Sequence, residues 1–261
     1  WEPQDWAVQL WDEPGMKGYW DKRWVFELIH KATAIMRETE PNVRVMENPL
    51  MRFNGTFYDI IAADVAIWAP HGGTVYLTED TREKTWGEAK DLEPTSHRNS
   101  NFMNQMYFKM CHRKYGAVRW TYYQHRPDAT RCPLGYFRHF PWKNKWMDFE
   151  GVSFWSSWYT TAGALENPIY LGTKQWWLHS LKGMYGWREG VEDIQYLELL
   201  DREIARLGDE ATELRAVRAR ALKRVIEQGW WATDPWKLEE AMQRSRRELA
   251  EALGEVLRTE H

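Results

Sequence analysis

Residues 6–15 read WAVQLWDEPG, an apolar run that ends at two adjacent carboxylates and a Pro-Gly turn. An apolar run of this length, closed by turn residues, is typical of a strand buried in a parallel sheet. From Trp20 to about Glu38, apolar residues then recur at spacings of three and four, and residues 39–42 (TEPN) end that pattern. This spacing predicts a helix, so the two segments together predict a strand–helix unit.

The same alternation recurs four more times along the chain. Strands are predicted at residues 43–46, 63–69, 117–124 and 151–158, with helical or polar stretches between them. These stretches include a helix at residues 102–115 and a short helix that begins only after residue 142. Strands that alternate with helices indicate an α/β fold with a parallel sheet. A closed (β/α)8 barrel has eight such strands. Two architectures therefore remain open: an open doubly wound sheet, or about the last five strand–helix units of a barrel.

The C-terminal part of the sequence has a different composition. From about Gly208 it is rich in Glu, Arg, Ala and Leu, and Asp234-Pro235 has the pattern of a helix start. An apolar stripe at spacings of three and four follows, which predicts a helical hairpin packed on the preceding domain. We therefore expect two domains, residues 1–206 and residues 207–261. A helix that binds a partner is the alternative for this stripe.

The charge of the chain is nearly balanced, with 35 Lys and Arg against 38 Asp and Glu. This balance offers no basic surface, so nucleic acid is not an expected partner. No apolar run reaches the roughly 18 residues of a membrane-spanning helix, so no membrane span is expected. Cys111 and Cys132 are too few for a disulfide framework, although one disulfide remains open. No histidine spacing predicts a metal site, and we expect no cofactor.

Aromatic residues are unusually frequent, with 18 Trp, 12 Tyr and 9 Phe in the chain. Aromatic faces can pack on the apolar faces of sugar rings, while the polar edges of Trp and Tyr hydrogen-bond hydroxyl groups. The composition therefore fits either a carbohydrate-binding surface or an aromatic-rich core.

Polar and aromatic residues gather where each predicted strand ends. They are Asp12 and Glu13, Glu47 and Asn48, Trp68 and His71, Tyr122 and Tyr123, and Trp155 and Trp158. Barrel enzymes carry their catalytic residues at this end of the strands. Because successive strand side chains point to opposite faces, Asp12 and Glu13 can share one pocket only where the strand has ended, as the Pro-Gly turn indicates. By itself, Asp-Glu-Pro-Gly is typical of a strand-ending turn without a catalytic role.

Five segments, in this order, resemble glycoside hydrolase family 123 and its uncharacterised relatives. They are residues 10–15 (LWDEPG), 64–71 (DVAIWAPH), 135–142 (GYFRHFPW), 151–155 (GVSFW) and 187–197 (WREGVEDIQYL). The resemblance implies a (β/α)8 TIM barrel in which the Asp-Glu pair ends the fourth strand. The first three strands would then belong to an N-terminal part of the barrel, present as a preceding segment or as a separate chain.

The family resemblance implies a retaining, substrate-assisted N-acetylhexosaminidase that acts on N-acetyl-β-galactosaminides in glycans. In that mechanism the 2-acetamido oxygen of the substrate attacks the anomeric carbon. Glu13 would be the general acid and then the general base, and Asp12 would orient the acetamido N–H. Tyr122 or Tyr123 would hydrogen-bond the acetamido oxygen, and Trp155 and Trp158 would form the platform for the sugar ring. His71 would hydrogen-bond a substrate hydroxyl, and Trp68 would make a further substrate contact. A glycan-degrading enzyme of this kind favours a secreted or periplasmic location.

Two other functions remain open. One is a hydrolase of glycosides that lack a 2-acetamido group, because residues 160–173 and 178–181 depart from the family's pattern. The other is a carbohydrate-binding or assembly protein that keeps the barrel without turnover. A group of charges near the start of the last barrel helix would form ion pairs there or face the site. It consists of Arg188, Glu189, Glu192 and Asp193.

Overall fold

The computed structural model describes residues 6–15, 22–49, 55–75, 97–124, 133–155, 169–171, 178–180, 182–228 and 235–259. Its strands are β1 (Val8–Gln9), β2 (Val45–Glu47), β3 (Val65–Trp68), β4 (Val118–Gln124), β5 (Gly151–Trp155), β6 (Ile169–Leu171) and β7 (Leu178–Ser180). Its α-helices are α1 (Arg23–Thr39), α2 (Gly55–Ile61), α3 (His97–Tyr115), α4 (Pro133–Trp146), α5 (Lys182–Leu207), α6 (Thr212–Ile226) and α7 (Pro235–Thr259). Short 3₁₀ turns cover Gly72–Thr74 and Gly208–Glu210. None of these described helices is long and apolar enough to cross a membrane.

One sheet contains β1 to β5, and its strands lie side by side in the order of the chain. The pairs β1–β2, β2–β3 and β3–β4 are parallel, with Val8 beside Val45 and Glu47 beside Trp68. The predicted α/β class with a parallel sheet is confirmed, and the described part of the chain is mostly helical. Strands β6 and β7 form a separate antiparallel pair. The sequence does not predict this pair, because three residues per strand are too few for a recognisable alternation.

Contacts within the chain separate two compact units: residues 1–123 with 149–153, and residues 124–148 with 154–261. The first unit holds most of the five-stranded sheet and helices α1 to α3. The second holds α4 to α7, so α6 and α7 share a unit with α4 and α5. The predicted domain boundary after residue 206 stays a prediction.

An aromatic cluster forms the core of the first unit. Its members are Phe26 of α1, Tyr58 of α2, Trp68 of β3, and Tyr107 and Phe108 of α3. The ring centroid of Tyr58 lies 5.1 Å from that of Phe26 and 6.0 Å from that of Trp68. Each aromatic pair of this kind adds about 0.5–1.5 kcal/mol to the free energy of burial. Part of the high aromatic content therefore stabilises the core.

Two glycines allow α4 and α5 to pack closely in the second unit. A Cβ on Gly186 would lie 2.4 Å from the carbonyl oxygen of Leu134, and one on Gly190 would lie 2.4 Å from that of Arg138. Residues four apart lie on the same face of a helix. The two glycines therefore form one strip of α5 on which the backbone of α4 rests, and a larger residue there would force the helices apart.

A buried ion-pair network joins α4, α5 and α7. Asp193 of α5 is fully buried and accepts hydrogen bonds from Arg138 at 2.7 and 3.0 Å and from Trp142 at 2.8 Å. Arg246 of α7 also donates to Asp193, and Arg138 binds Glu239 of α7 at 2.6 Å. Asp193 of α5 therefore forms ion pairs with an arginine of α4 and an arginine of α7. Its removal would leave the buried Arg138 without its main counter-charge.

Helix α4 differs most from the sequence-based expectation. The pattern predicts a short helix only after residue 142, whereas α4 begins at Pro133 and contains Pro141. A proline fits the first turn of a helix, because the N–H that it lacks has no partner there. Within the helix Pro141 removes one backbone hydrogen bond, and the burial of Phe137 and Phe140 offsets that loss. Tertiary packing therefore overrides the local sequence signal.

Candidate functional site

The two predicted catalytic carboxylates lie on a turn that follows β1. The strand covers only Val8–Gln9, and residues 11–13 form a bend in place of the longer strand that the sequence predicts. Glu13 has a φ of 51°, in the left-handed region that residues with a side chain rarely adopt. Backbone strain of this kind concentrates at functional sites. The bend frees Asp12 and Glu13 from the alternation of a strand, as the Pro-Gly turn predicts.

Tyr58 of α2 supports this turn from the core side. Its hydroxyl donates a hydrogen bond of 2.8 Å to the carbonyl oxygen of Pro14. Gly15 has a φ of 89°, and a Cβ at this position would lie 2.2 Å from Tyr58 Oη. Only glycine satisfies both the backbone conformation and the close approach. The Pro-Gly pair therefore holds the turn against α2 as well as ending the strand.

The side-chain amide of Asn48 organises the same turn. Its Nδ2 donates to Asp12 Oδ1 at 3.0 Å, and its Oδ1 accepts from the backbone N–H of Glu13 at 3.0 Å. The same Oδ1 accepts from Gln9 Nε2 at 2.6 Å. Asn48 is buried and directly follows β2, the neighbour of β1 in the sheet. Sequence reasoning places Asn48 at a strand end but assigns it no role. The adjacency of β1 and β2 is the signal that identifies it.

Tyr122 of β4 contacts the second carboxylate directly. Its hydroxyl donates a hydrogen bond of 2.5 Å to Glu13 Oε1, a length typical of an O–H group bound to a carboxylate. Burial raises the pKa of Tyr122, and the hydrogen bond to Glu13 and the charges of Glu13 and Asp12 raise it further. Tyr122 therefore stays neutral and remains a hydrogen-bond donor.

The neighbouring Tyr123, predicted to contact substrate, is a core residue. Its side chain is 1 % exposed. A Cβ on Gly72 would lie 2.2 Å from Tyr123 Cε1, so the tyrosine ring packs against the backbone of the 3₁₀ turn. Because strand side chains alternate between faces, Tyr122 reaches the carboxylate and Tyr123 does not. The structure thereby decides between two tyrosines that the sequence leaves open.

Trp68 is a second correction. The side chain is 0 % exposed and packs in the aromatic core between Tyr58 and Phe108, with ring centroids 6.0 and 5.5 Å away. No face of its indole is open to a sugar ring. The prediction that Trp68 binds substrate is wrong in this structure, because helices α2 and α3 cover the side of β3 on which Trp68 lies.

His71, another predicted substrate contact, lies beside Tyr122. The two ring centroids are 5.1 Å apart in an edge-on arrangement, and the two residues form a parallel backbone bridge. His71 Nδ1 accepts from the backbone N–H of Gly73 at 3.2 Å, so the ring caps the 3₁₀ turn. Asn104 of α3 donates to the carbonyl oxygen of Thr74 at 2.7 Å and anchors that turn. His71 therefore has a structural role and also borders the Tyr122–Glu13 pair.

The last two predicted contacts are Trp155 and Trp158. Trp155 is the final residue of β5, but its side chain lies outside the described part of the chain, as does all of Trp158. The predicted tryptophan platform for a sugar ring stays a prediction.

Glu47, the last residue of β2, is a buried acid that sequence reasoning does not assign to the site. Its side chain is 0 % exposed, and neither carboxyl oxygen has a hydrogen-bond partner in the described part of the chain. Burial raises the pKa of Glu47 to about 8, and the charge of Asp12 contributes to the rise. The backbone amides of Leu10 and Trp11 face the carboxyl and oppose this rise without reaching hydrogen-bonding geometry. Glu47 is therefore protonated at neutral pH.

A metal site needs several His, Cys, Asp or Glu side chains close together. Among those that the structure describes, no group of three or more His, Cys, Asp or Glu side chains is placed to hold a metal ion. Cys111 is a free, buried thiol, and burial raises its pKa to about 11. Cys111 is therefore unreactive at neutral pH. Cys132 lies outside the described residues.

Comparison with known proteins adds no family assignment: no protein-family model matches the sequence, and no curated protein matches it significantly. The resemblance to glycoside hydrolase family 123 therefore stays a prediction. Its support must come from the geometry around Asp12 and Glu13.

Proposed function

We propose that the chain is a glycoside hydrolase, a retaining and substrate-assisted N-acetylhexosaminidase that acts on N-acetyl-β-galactosaminides. The observation that carries the proposal is the joint anchoring of two consecutive carboxylates. Asn48 holds Asp12 and the backbone of Glu13, while Tyr122 holds the Glu13 carboxylate. A strand-ending turn without a role needs none of these three long-range contacts.

The proposed architecture is a (β/α)8 barrel of which β1 to β5 form an arc, with residues 207–261 as a helical extension. The strand order supports it, because β1 to β5 follow one another in the sheet, whereas a doubly wound sheet reverses its order at a switch point. The Tyr122–Glu13 hydrogen bond gives further support. Three strand spacings separate β1 from β4, which in a flat sheet is about 14 Å. A curved sheet brings these strand ends closer together.

The anchoring suggests different roles for the two carboxylates. Asp12 uses Oδ1 to accept from Asn48, and among the described residues its Oδ2 has no partner. This oxygen is the one that would accept the acetamido N–H of the substrate. Glu13 uses Oε1 to accept from Tyr122, which leaves Oε2 to carry the proton for the leaving group.

The reaction would then proceed in two balanced steps. In the first, the acetamido oxygen forms a bond to the anomeric carbon, the glycosidic C–O bond breaks, and the Glu13 proton passes to the leaving oxygen. In the second, Glu13 takes a proton from water as the water oxygen attacks the same carbon and the oxazolinium ring opens. Direct displacement by two carboxyl groups requires them on opposite sides of a sugar ring. Consecutive residues of one turn suit that geometry poorly, which favours the substrate's own nucleophile.

The test is hydrolysis of an aryl N-acetyl-β-galactosaminide by the protein and by Glu13→Gln. Loss of a general acid lowers kcat by about 10²–10⁴-fold, and we expect a loss in this range. Glu38→Gln, which changes an exposed carboxylate of α1, is the matched control and should keep full activity. Equal activity of wild type and Glu13→Gln would remove Glu13 from the mechanism.

A second measurement tests the substrate-assisted step. A thiazoline mimic of the oxazolinium intermediate should inhibit competitively, because it reproduces the ring that the acetamido group forms. Cleavage of other glycosides without any cleavage of acetamido sugars would favour the non-acetamido hydrolase. Glycan binding without turnover would favour the carbohydrate-binding protein.

A further inference from the structure

Glu47 is a buried carboxyl group that the proposed mechanism does not use. Its neighbours in the sheet are apolar: Val45 precedes it on the same face of β2, and Trp68 lies beside it on β3. An apolar side chain would fill such a position without the cost of burying a polar group. Yet the chain places an acid there, with both oxygens buried and without hydrogen-bond partners in the described residues.

The surroundings of Glu47 connect it to the catalytic turn. The backbone amides of Leu10 and Trp11 and the carboxylate of Asp12 face it from the segment after β1. From α2 it faces Tyr58, whose pKa is raised by burial and by the charge of Glu47, and Tyr58 in turn donates to the turn at Pro14. Among the residues that the structure describes, Asp12 and Tyr58 are the titratable groups that face Glu47, and β3 presents the indole of Trp68 to it. Glu47 thus lies beneath the turn that carries the catalytic pair.

Accessibility decides what kind of role Glu47 can have. At 0 % exposure it cannot touch a substrate, so any influence on the reaction must pass through the turn above it. Its backbone neighbour Asn48 is the residue that binds Asp12 and Glu13. A change in charge or position at Glu47 therefore acts on the anchor of both carboxylates.

We propose that Glu47 is a positioning residue: its carboxyl is buried against the segment that carries Asp12 and Glu13 and next to their anchor Asn48, and its ionisation disturbs that turn. As the deprotonated form accumulates, its negative charge lies close to the carboxylate of Asp12 and repels it. Asp12 then moves away from Glu47, and its hydrogen bond to Asn48 weakens. The inference rests on the proposed function for its catalytic consequence, but its structural consequence can be measured without any substrate.

The structural test follows two NMR signals of the ¹⁵N-labelled full chain between pH 6 and 9.5: the side-chain amide of Asn48 and the backbone amide of Glu13. In the wild type both signals should shift with a common midpoint near pH 8. In Glu47→Gln, which keeps the shape of the neutral acid and cannot ionise, these shifts should be absent. Glu38→Gln should behave as the wild type. Signals that stay still in the wild type, or that move equally in Glu47→Gln, would overturn the proposal.

The catalytic test measures kcat and KM for the aryl N-acetyl-β-galactosaminide over the same pH range. Wild-type kcat should fall above pH 8, while Glu47→Gln should extend activity to higher pH with KM little changed. Glu47→Leu, which is apolar and cannot ionise, should fold and, like Glu47→Gln, keep its kcat above pH 8. Identical pH profiles for wild type and Glu47→Gln would contradict a positioning role. An inactive wild type whose two amide signals still titrate would refute the proposed function and leave the positioning role supported.

Discussion

Replacing Glu47 by glutamine should make the folded protein less sensitive to rising pH. The pKa of Glu47 is about 8 in the folded chain, against a reference value of 4.5. Between these values the folded state retains a proton that the unfolded state releases. The contribution of Glu47 to the free energy of unfolding therefore falls as pH rises from 4.5 to 8, and it stays constant above pH 8. Glutamine does not titrate, so the variant lacks this loss.

The magnitude follows from the linkage between proton binding and unfolding. Each pH unit within this window corresponds to about 1.4 kcal/mol. Relative to the wild type, Glu47→Gln should therefore gain about 2–3 kcal/mol in free energy of unfolding between pH 5 and pH 7. This is a large part of the roughly 5–15 kcal/mol that stabilises a typical domain.

The assay is urea-induced unfolding of wild type, Glu47→Gln and the exposed control Glu38→Gln at pH 5, 6 and 7. A buried, unpartnered amide also has a cost, but that cost does not depend on pH and cancels in the comparison. A constant difference between Glu47→Gln and wild type across the three pH values would show that Glu47 is ionised in the folded chain. Glu47 would then not be a neutral acid beneath the turn.

Three further substitutions test the contacts around the turn and between the helices. Tyr122→Phe should lower kcat by about 10- to 100-fold, because it removes the hydrogen bond to Glu13 as that side chain gives up its proton and becomes a carboxylate. Unchanged steady-state kinetics would show that the bond to Glu13 has no role in turnover. Gly15→Ala should lower the melting temperature more than Gly116→Ala does. Both glycines have a positive φ, but a Cβ at position 15 meets a tyrosine hydroxyl at 2.2 Å, whereas one at 116 meets nothing within 4 Å. Equal losses would exclude the contact as the cause. Asp193→Ala should lower the free energy of unfolding, measured by chemical denaturation, by about 3–5 kcal/mol, because it removes the carboxylate that balances the charge of the buried Arg138. A loss under about 1 kcal/mol would mean that water replaces the carboxylate.

Local patterns predicted the strands of the main sheet well. The predicted segments at 63–69, 117–124 and 151–158 each contain an observed strand, because apolar runs and turn residues act within a few positions of the chain. Helix α4 was not predicted at its full length, because Pro141 disfavours a helix in the local sequence. The free energy gained by burying the aromatic face of α4 outweighs the cost of this proline. The short helix α2 gave too few residues for a periodic signal.

Long-range contacts at the site lay beyond such patterns. Asn48 and Glu13 are separated by 35 positions, and Tyr122 and Glu13 by 109. Neither pairing can be inferred until the order of the strands is known. The same applies to Trp68, because a tryptophan at a strand end can face either the helices or the site.

The amino-acid sequence alone determined the order of the five strands of the main sheet and the adjacency of Asp12 and Glu13, because both depend on residues that are neighbours in the chain. Tertiary structure alone decided which strand-end side chains meet at the carboxylates and which enter the core. It places Tyr122 beside Glu13, whereas Tyr123 and Trp68 lie in the core. It also places Asn48 and Glu47, at the end of the neighbouring strand, next to the turn. The physical reason is that the face on which a side chain lies, and its partners across the sheet, depend on strand register and helix packing, which residues far apart in the sequence establish together.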